Sequence, residues 1–247
     1  MTDLPAESAP SHLWFLKSTE LFSEMSETLV GSAGRLLEEM EFKKGDVLHL
    51  IEDGARFIYI VSEGQVKLRS VSEAGKERIL DVAGPGDVFG PLDRLLPISP
   101  ASPAASLSES GLAKEAVACS GGCALRFELA EFQSLVARRP AVVVNIYRLL
   151  GIKQRRLEIR LSRLLFRSSL GKVAGLLAEL AERYGEKNSG GEVELDFRIT
   201  HQEIASMIGV KRETVSECLA ALELDEFIRT KNRRIVVLKT EELDEVV

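Results

Sequence analysis

Residues Thr200–Leu224 read THQEIASMIGVKRETVSECLAALEL, and the spacing of apolar residues in this stretch decides how the chain is organised. Thr200 followed three residues on by Glu203 is a capping box, in which each side chain satisfies a backbone N–H of the other's turn. Ile204, Met207 and Ile208 give the helix that starts there its apolar side. Gly209 supplies a turn, and a second helix is predicted from about Lys211 to Leu224. At about 100° per residue, its Val215, Cys218, Leu219 and Leu222 fall within an arc of roughly 100°. Arg212, Glu213, Ser216 and Glu217 fall in a separate polar arc of about 140° that no core requires. A helix, a glycine turn and a second helix with long hydrogen-bonding side chains near its start make a helix-turn-helix. Periodicity alone also fits an ordinary helical hairpin. The next stretch favours the first reading: Phe227–Leu238, FIRTKNRRIVVL, is a strand, a turn and a second strand carrying Arg229, Lys231, Arg233 and Arg234. A winged helix-turn-helix is predicted, with double-stranded DNA as its partner.

Composition narrows the rest. A chain of 247 residues holds enough material for two cores. Its formal net charge of −6 argues against non-specific coating by nucleic acid, so DNA binding must rest on locally clustered cations and helix N-termini. No apolar run approaches membrane-spanning length, and the first residues lack the basic start and apolar middle of a signal peptide. With three cysteines there is no disulfide framework, and a cytoplasmic location is expected.

Residues 1–12 read as a flexible polar tail, in which Thr2, Ser8 and Ser11, with Ser18 and Thr19 beyond, are candidate phosphate acceptors. Leu13 to Met40 has helical spacing, interrupted at Gly31 and Gly34. From Phe42 the period becomes two. Strands are predicted at Val47–Ile51, Phe57–Val61, Gln65–Arg69, Arg78–Val82, Glu115–Cys119 and Cys123–Phe127, between Gly-containing turns. Strands at this spacing imply a small antiparallel barrel or double-layered roll over residues 13–139. Leu96–Gly111, LPISPASPAASLSESG, is a loop by composition. Helices are expected from about Leu129 to Arg139 and, started by Pro140, through Phe166. In the long helix Val143, Leu150, Leu157 and Leu164 recur every seven residues with Ile146 and Leu161 between them. This is a coiled-coil pattern that suits a two-fold dimer, although a helix lying on its own roll fits as well. Arg167–Gly171 is the expected hinge into a C-terminal domain spanning 168–247. The fold class is α+β: an N-terminal antiparallel roll, a dimerisation helix over 140–167 and a winged helix-turn-helix.

This order resembles the Crp/Fnr family of bacterial transcription regulators over nearly the full length from about Leu13. The resemblance is carried by FKKGDVLHLIEDGARFIYIVSEGQVKL from Phe42, GPGDVFG from Gly84, and ITHQEIASMIGVKRETVSECLAALE from Ile199. It implies a cyclic-nucleotide-binding-like roll and a homodimer on an inverted-repeat operator, with RNA polymerase among the partners such a regulator meets. Arg212, Glu213 and Ser216 then occupy base-reading places. Arg is suited to guanine O6 and N7, and Glu to cytosine N4. Glu217 stands where the family commonly has Arg, which puts the operator in doubt. Thr200, His201, Lys211, Lys231, Arg233 and Arg234 are the expected phosphate contacts.

The sensor half departs from the family's cyclic-AMP binders at every contact. The ribose-binding Glu is replaced by Pro91; the Arg-Ser pair for the phosphate has Lys114-Glu115 as its nearest counterpart; the purine-binding Thr-Ser pair falls on Leu157 and Glu158. Glu115 is expected to repel an anion. No cyclic-AMP response is expected. The cysteine cluster of the oxygen-sensing branch has no counterpart before Cys119, so an iron–sulfur cofactor is not expected either. His12, His49 and His201 are too scattered for a metal site, and no cofactor is implied. Cys119 and Cys123 flank a short turn, where a disulfide switch and two small buried hydrophobes are the competing readings. A ligand- or redox-sensing signalling module acting through protein partners remains the alternative. No nucleophile elbow, phosphate loop or paired metal ligands mark an enzyme, and no catalytic residue is assigned.

Overall fold

The computed structural model describes residues 10–19, 21–23, 26–50, 56–72, 77–92, 113–138, 140–188 and 190–246. The chain forms two compact units, one of residues 1–75 and 82–153, the other of 76–81 and 154–247.

The first unit holds most of a roll of two antiparallel four-stranded sheets. One has the order β1 (Leu37–Phe42), β8 (Gly122–Glu128), β3 (Phe57–Glu63), β6 (Val88–Phe89). The other runs β2 (Val47–Leu50), β7 (Ala113–Ala118), β4 (Val66–Val71), β5 (Glu77–Ala83). Alternation along β3 and β8 shows why the sequence folds this way. Tyr59, Val61 and Ala124 turn inward, joining Val66, Phe89, Ala116 and Ala118 from the other strands. Ile58, Ile60, Leu125 and Phe127 turn outward and are covered by helices: α1 (Pro10–Ser18), α2 (Glu27–Gly34), α3 (Leu129–Arg138) and the first half of α4 (Pro140–Phe166). Because β3 is buried on both faces, it reads as a nearly continuous apolar run.

Two expectations change here. Leu36, Leu37 and Met40 had the spacing of a helix, yet Leu37–Phe42 is a strand paired with β8 from Leu37↔Phe127 to Phe42↔Gly122. Three apolar residues fit either period, and a partner strand 80 to 90 positions away decided between them. The expected dimer seam on α4 is also rearranged. Ile146 is fully buried in the roll's own core, with Val143 and Leu150 packed against it. The exposed apolar residues of α4 include Val144, Tyr147 (78% exposed), Leu157, Leu161 (56%), Leu165 and Phe166, while Leu164 is half-buried. A straight helix drifts by about 20° per heptad, so a seven-residue repeat does not stay on one face.

Of the expected tail, residues 1–9, with Thr2 and Ser8, lie outside the described residues, whereas Pro10–Ser18 is helical. Thr19 is buried with its hydroxyl donating to Leu16 O at 2.7 Å, and Ser18 donates to Phe15 O at 2.7 Å. The expected loop at 96–111 lies outside the described residues. Cys119 and Cys123 are not joined in a disulfide; burial, aided by the Glu39 carboxylate 3.3 Å from Sγ, pushes the Cys123 thiol up from its ordinary pKa. Among the described residues no helix is long and apolar enough to cross a membrane.

In the second unit α4 ends at Phe166, and Ser168 caps α5 (Ser169–Tyr184) by accepting from Gly171 N at 3.1 Å. The hinge is therefore Arg167–Ser168, and Ser169–Gly171 form the first turn of α5. Arg163 bridges Glu179 on α5 at 3.3 Å and Asp244 at 2.9 Å, just after the short α8 (Thr240–Leu243). Arg167 reaches the same Asp244 at 3.3 Å. These pairs tie both termini of the unit to α5. The wing sheet has the order β11 (Ile228–Lys231), β12 (Arg234–Val237), β10 (Val193–Leu195), β9 (Gly185–Lys187).

Candidate nucleic-acid interface

Helix α6 (His201–Ile208) begins on the capping box read from the sequence. Thr200 Oγ1 accepts from Glu203 N at 3.2 Å, and Glu203 Oε2 accepts from Thr200 N at 2.9 Å. Thr200 also donates its hydroxyl to the same carboxylate at 2.9 Å, so this side chain is spent on the helix start. Gly209 closes α6 at φ +74°, a left-handed conformation that glycine adopts without steric cost. That turn sends the chain into α7 (Arg212–Leu224), for which Lys211 is the N-cap residue.

Val215, Cys218, Leu219 and Leu222 hold α7 in the core, and Ile204, Met207 and Ile208 do the same for α6. The opposite face carries Arg212, Glu213 and Glu217, all exposed, and half-buried Ser216. Lys211 makes no side-chain cap, which leaves the first-turn N–H groups of α7 with no side-chain acceptor from it. Within the interface, His201 Nδ1 lies 2.8 Å from Ser216 Oγ, and that hydroxyl also lies 3.2 Å from Arg212 O. Two residues expected to contact DNA in different ways are thus in contact with each other.

The wing is a two-residue hairpin with Asn232 at φ +52° and Arg233 at φ +63°. Positive φ at both central positions is the hairpin turn that matches strand twist, and Arg233 adopts it at a steric cost. The four wing cations divide. Arg229 pairs with Glu192 at 2.6 Å, and Arg234 lies 3.4 Å from Glu194 and 3.8 Å from Asp196. Lys231 and Arg233 are exposed and make no ion pair among the described residues. Arg234, expected on a phosphate, is therefore partly neutralised by its own sheet. The acidic run Glu192–Asp196 is the part of the interface that sequence reading missed, although its alternation beside a basic hairpin was the available signal.

The roll's cyclic-nucleotide positions are likewise distinct from what the sequence suggested in one respect. Glu115 does not stand as a bare negative charge: Arg69, directly opposite it on β4, binds its carboxylate at 2.5 Å. The expected repulsion of an anion is muted, and the nearby guanidinium is already engaged. Pro91 is buried, Leu157 and Glu158 are exposed, and Glu158 accepts from Gln154 at 2.9 Å. The side chain of Lys114 lies outside the described residues.

Comparison with known proteins follows the same division. Residues 39–139 match the family model of the cyclic nucleotide-binding domain, and residues 171–246 that of the Crp-like helix-turn-helix domain. A "CRP-like cAMP-activated global transcriptional regulator" of Mycobacterium tuberculosis is 26% identical, over 90% of this chain and 94% of its own. The "Cyclic AMP receptor protein" of Thermus thermophilus is 27% identical, over 94% and 98%. Among solved structures, FixK2 from Bradyrhizobium japonicum superposes with a TM-score of 0.67 at 19% identity, covering 85% of this chain and 96% of that one. A CooA mutant from Carboxydothermus hydrogenoformans gives 0.66 at 22%, covering 96% of each. The structural likenesses speak to the fold alone.

Proposed function

We propose, for a chain that belongs to the Crp/Fnr family of bacterial transcription regulators, that it binds an inverted-repeat operator as a homodimer and does so without cyclic AMP. Family membership makes it a DNA-binding regulator; the dimer, the operator form and the independence from nucleotide are our reading. The observation that carries it is the polar face of α7, which the core leaves unused, beside a wing whose Lys231 and Arg233 are exposed and unpaired among the described residues. In this reading Arg212, Glu213, Ser216 and Glu217 meet base edges, while Lys211, His201, Lys231 and Arg233 meet phosphates.

The homodimer is supported by the outward stripe of α4. Val144, Tyr147, Leu161 and Leu165 are too exposed for a lone helix in water, and they keep three- and four-residue spacings at its two ends. Two copies joined along this stripe would present two α7 helices, as reading two half-sites one DNA turn apart requires. RNA polymerase is a further partner in this reading, and the cytoplasm its place of action.

Independence from cyclic AMP is supported by Pro91, which has no acceptor for a ribose hydroxyl, by Glu115 engaged with Arg69, which offers a cyclic phosphate no donor, and by Leu157 and Glu158, neither of which has the hydroxyl that the resemblance implies for the purine. The relatives named for cyclic AMP share about a quarter of their residues with this chain, too little to transfer a ligand whose contacts have changed. Selection of bound duplexes from a random pool, with and without cyclic AMP, tests the whole reading. An inverted repeat recovered equally in both arms is expected. Micromolar cyclic-AMP binding by calorimetry, or a repeat recovered in its presence alone, would remove the nucleotide-independent part.

A further inference from the structure

We propose that His201 turns Ser216 into an acceptor-only reader, so that Ser216 selects a base bearing an amino group, cytosine or adenine, over guanine or thymine. The inference rests on the assignment of α7 as the base-reading helix.

A serine hydroxyl has one proton and two lone pairs, and on its own it reads donors and acceptors alike. Ser216 is not on its own. Its Oγ lies 2.8 Å from His201 Nδ1 and 3.2 Å from the Arg212 carbonyl, one turn back on the same helix. Two arrangements of protons fit these distances. With Nδ1 bare, the hydroxyl donates to the ring. With Nδ1 protonated, in the other neutral tautomer or in the imidazolium, the ring donates to Oγ and the hydroxyl donates to the Arg212 carbonyl. Either way the single hydroxyl proton is held inside the protein, and at least one lone pair remains for the groove. The conclusion is therefore independent of tautomer and of charge on the ring.

The major groove supplies matching donors at cytosine N4 and adenine N6, whereas guanine shows acceptors and thymine an acceptor with a methyl group. His201 can hold this geometry because its backbone is fixed: it is the first residue of α6, next to the Thr200–Glu203 capping box. It acts as a positioning residue for Ser216, in addition to any phosphate contact. A phosphate contact alone would alter affinity for all sequences equally and leave base preference unchanged.

The test is selection from a random duplex pool with the full-length protein, comparing wild type, Ser216→Ala, His201→Ala and His201→Asn. The position that loses selectivity in Ser216→Ala identifies the base pair involved. There, wild type is expected to favour cytosine or adenine about fivefold, the yield of one net hydrogen bond. His201→Ala leaves the hydroxyl only the longer 3.2 Å bond to the Arg212 carbonyl, too weak to keep its proton from a groove acceptor, and should reduce that preference to below about twofold, while His201→Asn, whose Oδ1 can stand in for Nδ1, restores it. A wild-type preference for guanine or thymine at that position overturns the proposal, as does full preference retained in His201→Ala. A motif unchanged by Ser216→Ala overturns it too and leaves the reading by α7 standing. If wild type selects no motif at all, that reading fails and the proposal goes with it.

Discussion

The sheets of the roll and the polar face of the winged unit handle charge differently. In the roll, arginines meet carboxylates across strands: Arg69 with Glu115 at 2.5 Å, Arg126 with Glu38 at 2.8 Å and Arg56 with Glu128 at 3.0 Å. On the face of α7 and at the wing tip, Lys211, Arg212, Lys231 and Arg233 are exposed and make no ion pair among the described residues. An ion pair within one sheet supports that sheet and satisfies its own charges. An exposed cation without an ion pair adds little to the fold, and in the proposed function it is left for the phosphates of DNA. In a protein of net charge −6, the proposed DNA binding asks those few cations to provide the local attraction that the whole molecule lacks. The winged unit shows both arrangements at once, since Arg229 and Arg234 are held by Glu192, Glu194 and Asp196 while their neighbours are not.

The largest effect expected from this contrast concerns α4, whose two faces serve different ends. Ile146→Ala should destabilise the roll by about 2–5 kcal/mol, because it empties a fully buried site. Leu161→Asp should leave unfolding of the monomer nearly unchanged and shift the dimer toward monomer in sedimentation. Equal losses of folding stability in the two variants would erase the distinction between the faces.

Next in size is Arg212→Ala, which should cost about 1–3 kcal/mol of operator binding and relax selectivity at one base pair per half-site. Footprints unchanged in strength and sequence would place Arg212 with the roll's structural arginines. Arg233→Gly should raise thermal stability by up to about 1 kcal/mol, as the steric cost of the left-handed backbone is removed and glycine's greater chain entropy offsets part of the gain. The same change should weaken binding to all duplexes alike and reduce the salt slope by about one. Smallest is the comparison of Lys231→Ala with Arg234→Ala. The first should weaken binding more, because Glu194 and Asp196 already draw on Arg234. Equal losses would show that DNA displaces those acids readily.

How much was legible in advance depends on the range of the interactions. The capping box, the Gly209 turn and the apolar stripe of α7 are set within a few residues of one another, and their positions were readable to within one residue. Strands β3 and β8 were readable because short apolar runs bounded by turn glycines are local signals as well. Strand β1 was not, since Leu36, Leu37 and Met40 fit a helix until β8 supplies hydrogen bonds along Leu37–Phe42. The neutralised state of Glu115 was hidden for the same reason: Arg69 is remote in sequence and directly opposite in register.

By itself, then, the sequence determined a small antiparallel barrel or roll, a long helix and a winged helix-turn-helix with an unused polar face, because period, caps and turn glycines act over one or two turns of chain. Tertiary structure alone decided which stripe of α4 covers the roll and which is left exposed, and which wing cations are neutralised. It also decided that His201 meets Ser216. Each of these depends on side chains brought together by packing, from positions whose spacing in the sequence carries no record of the contact.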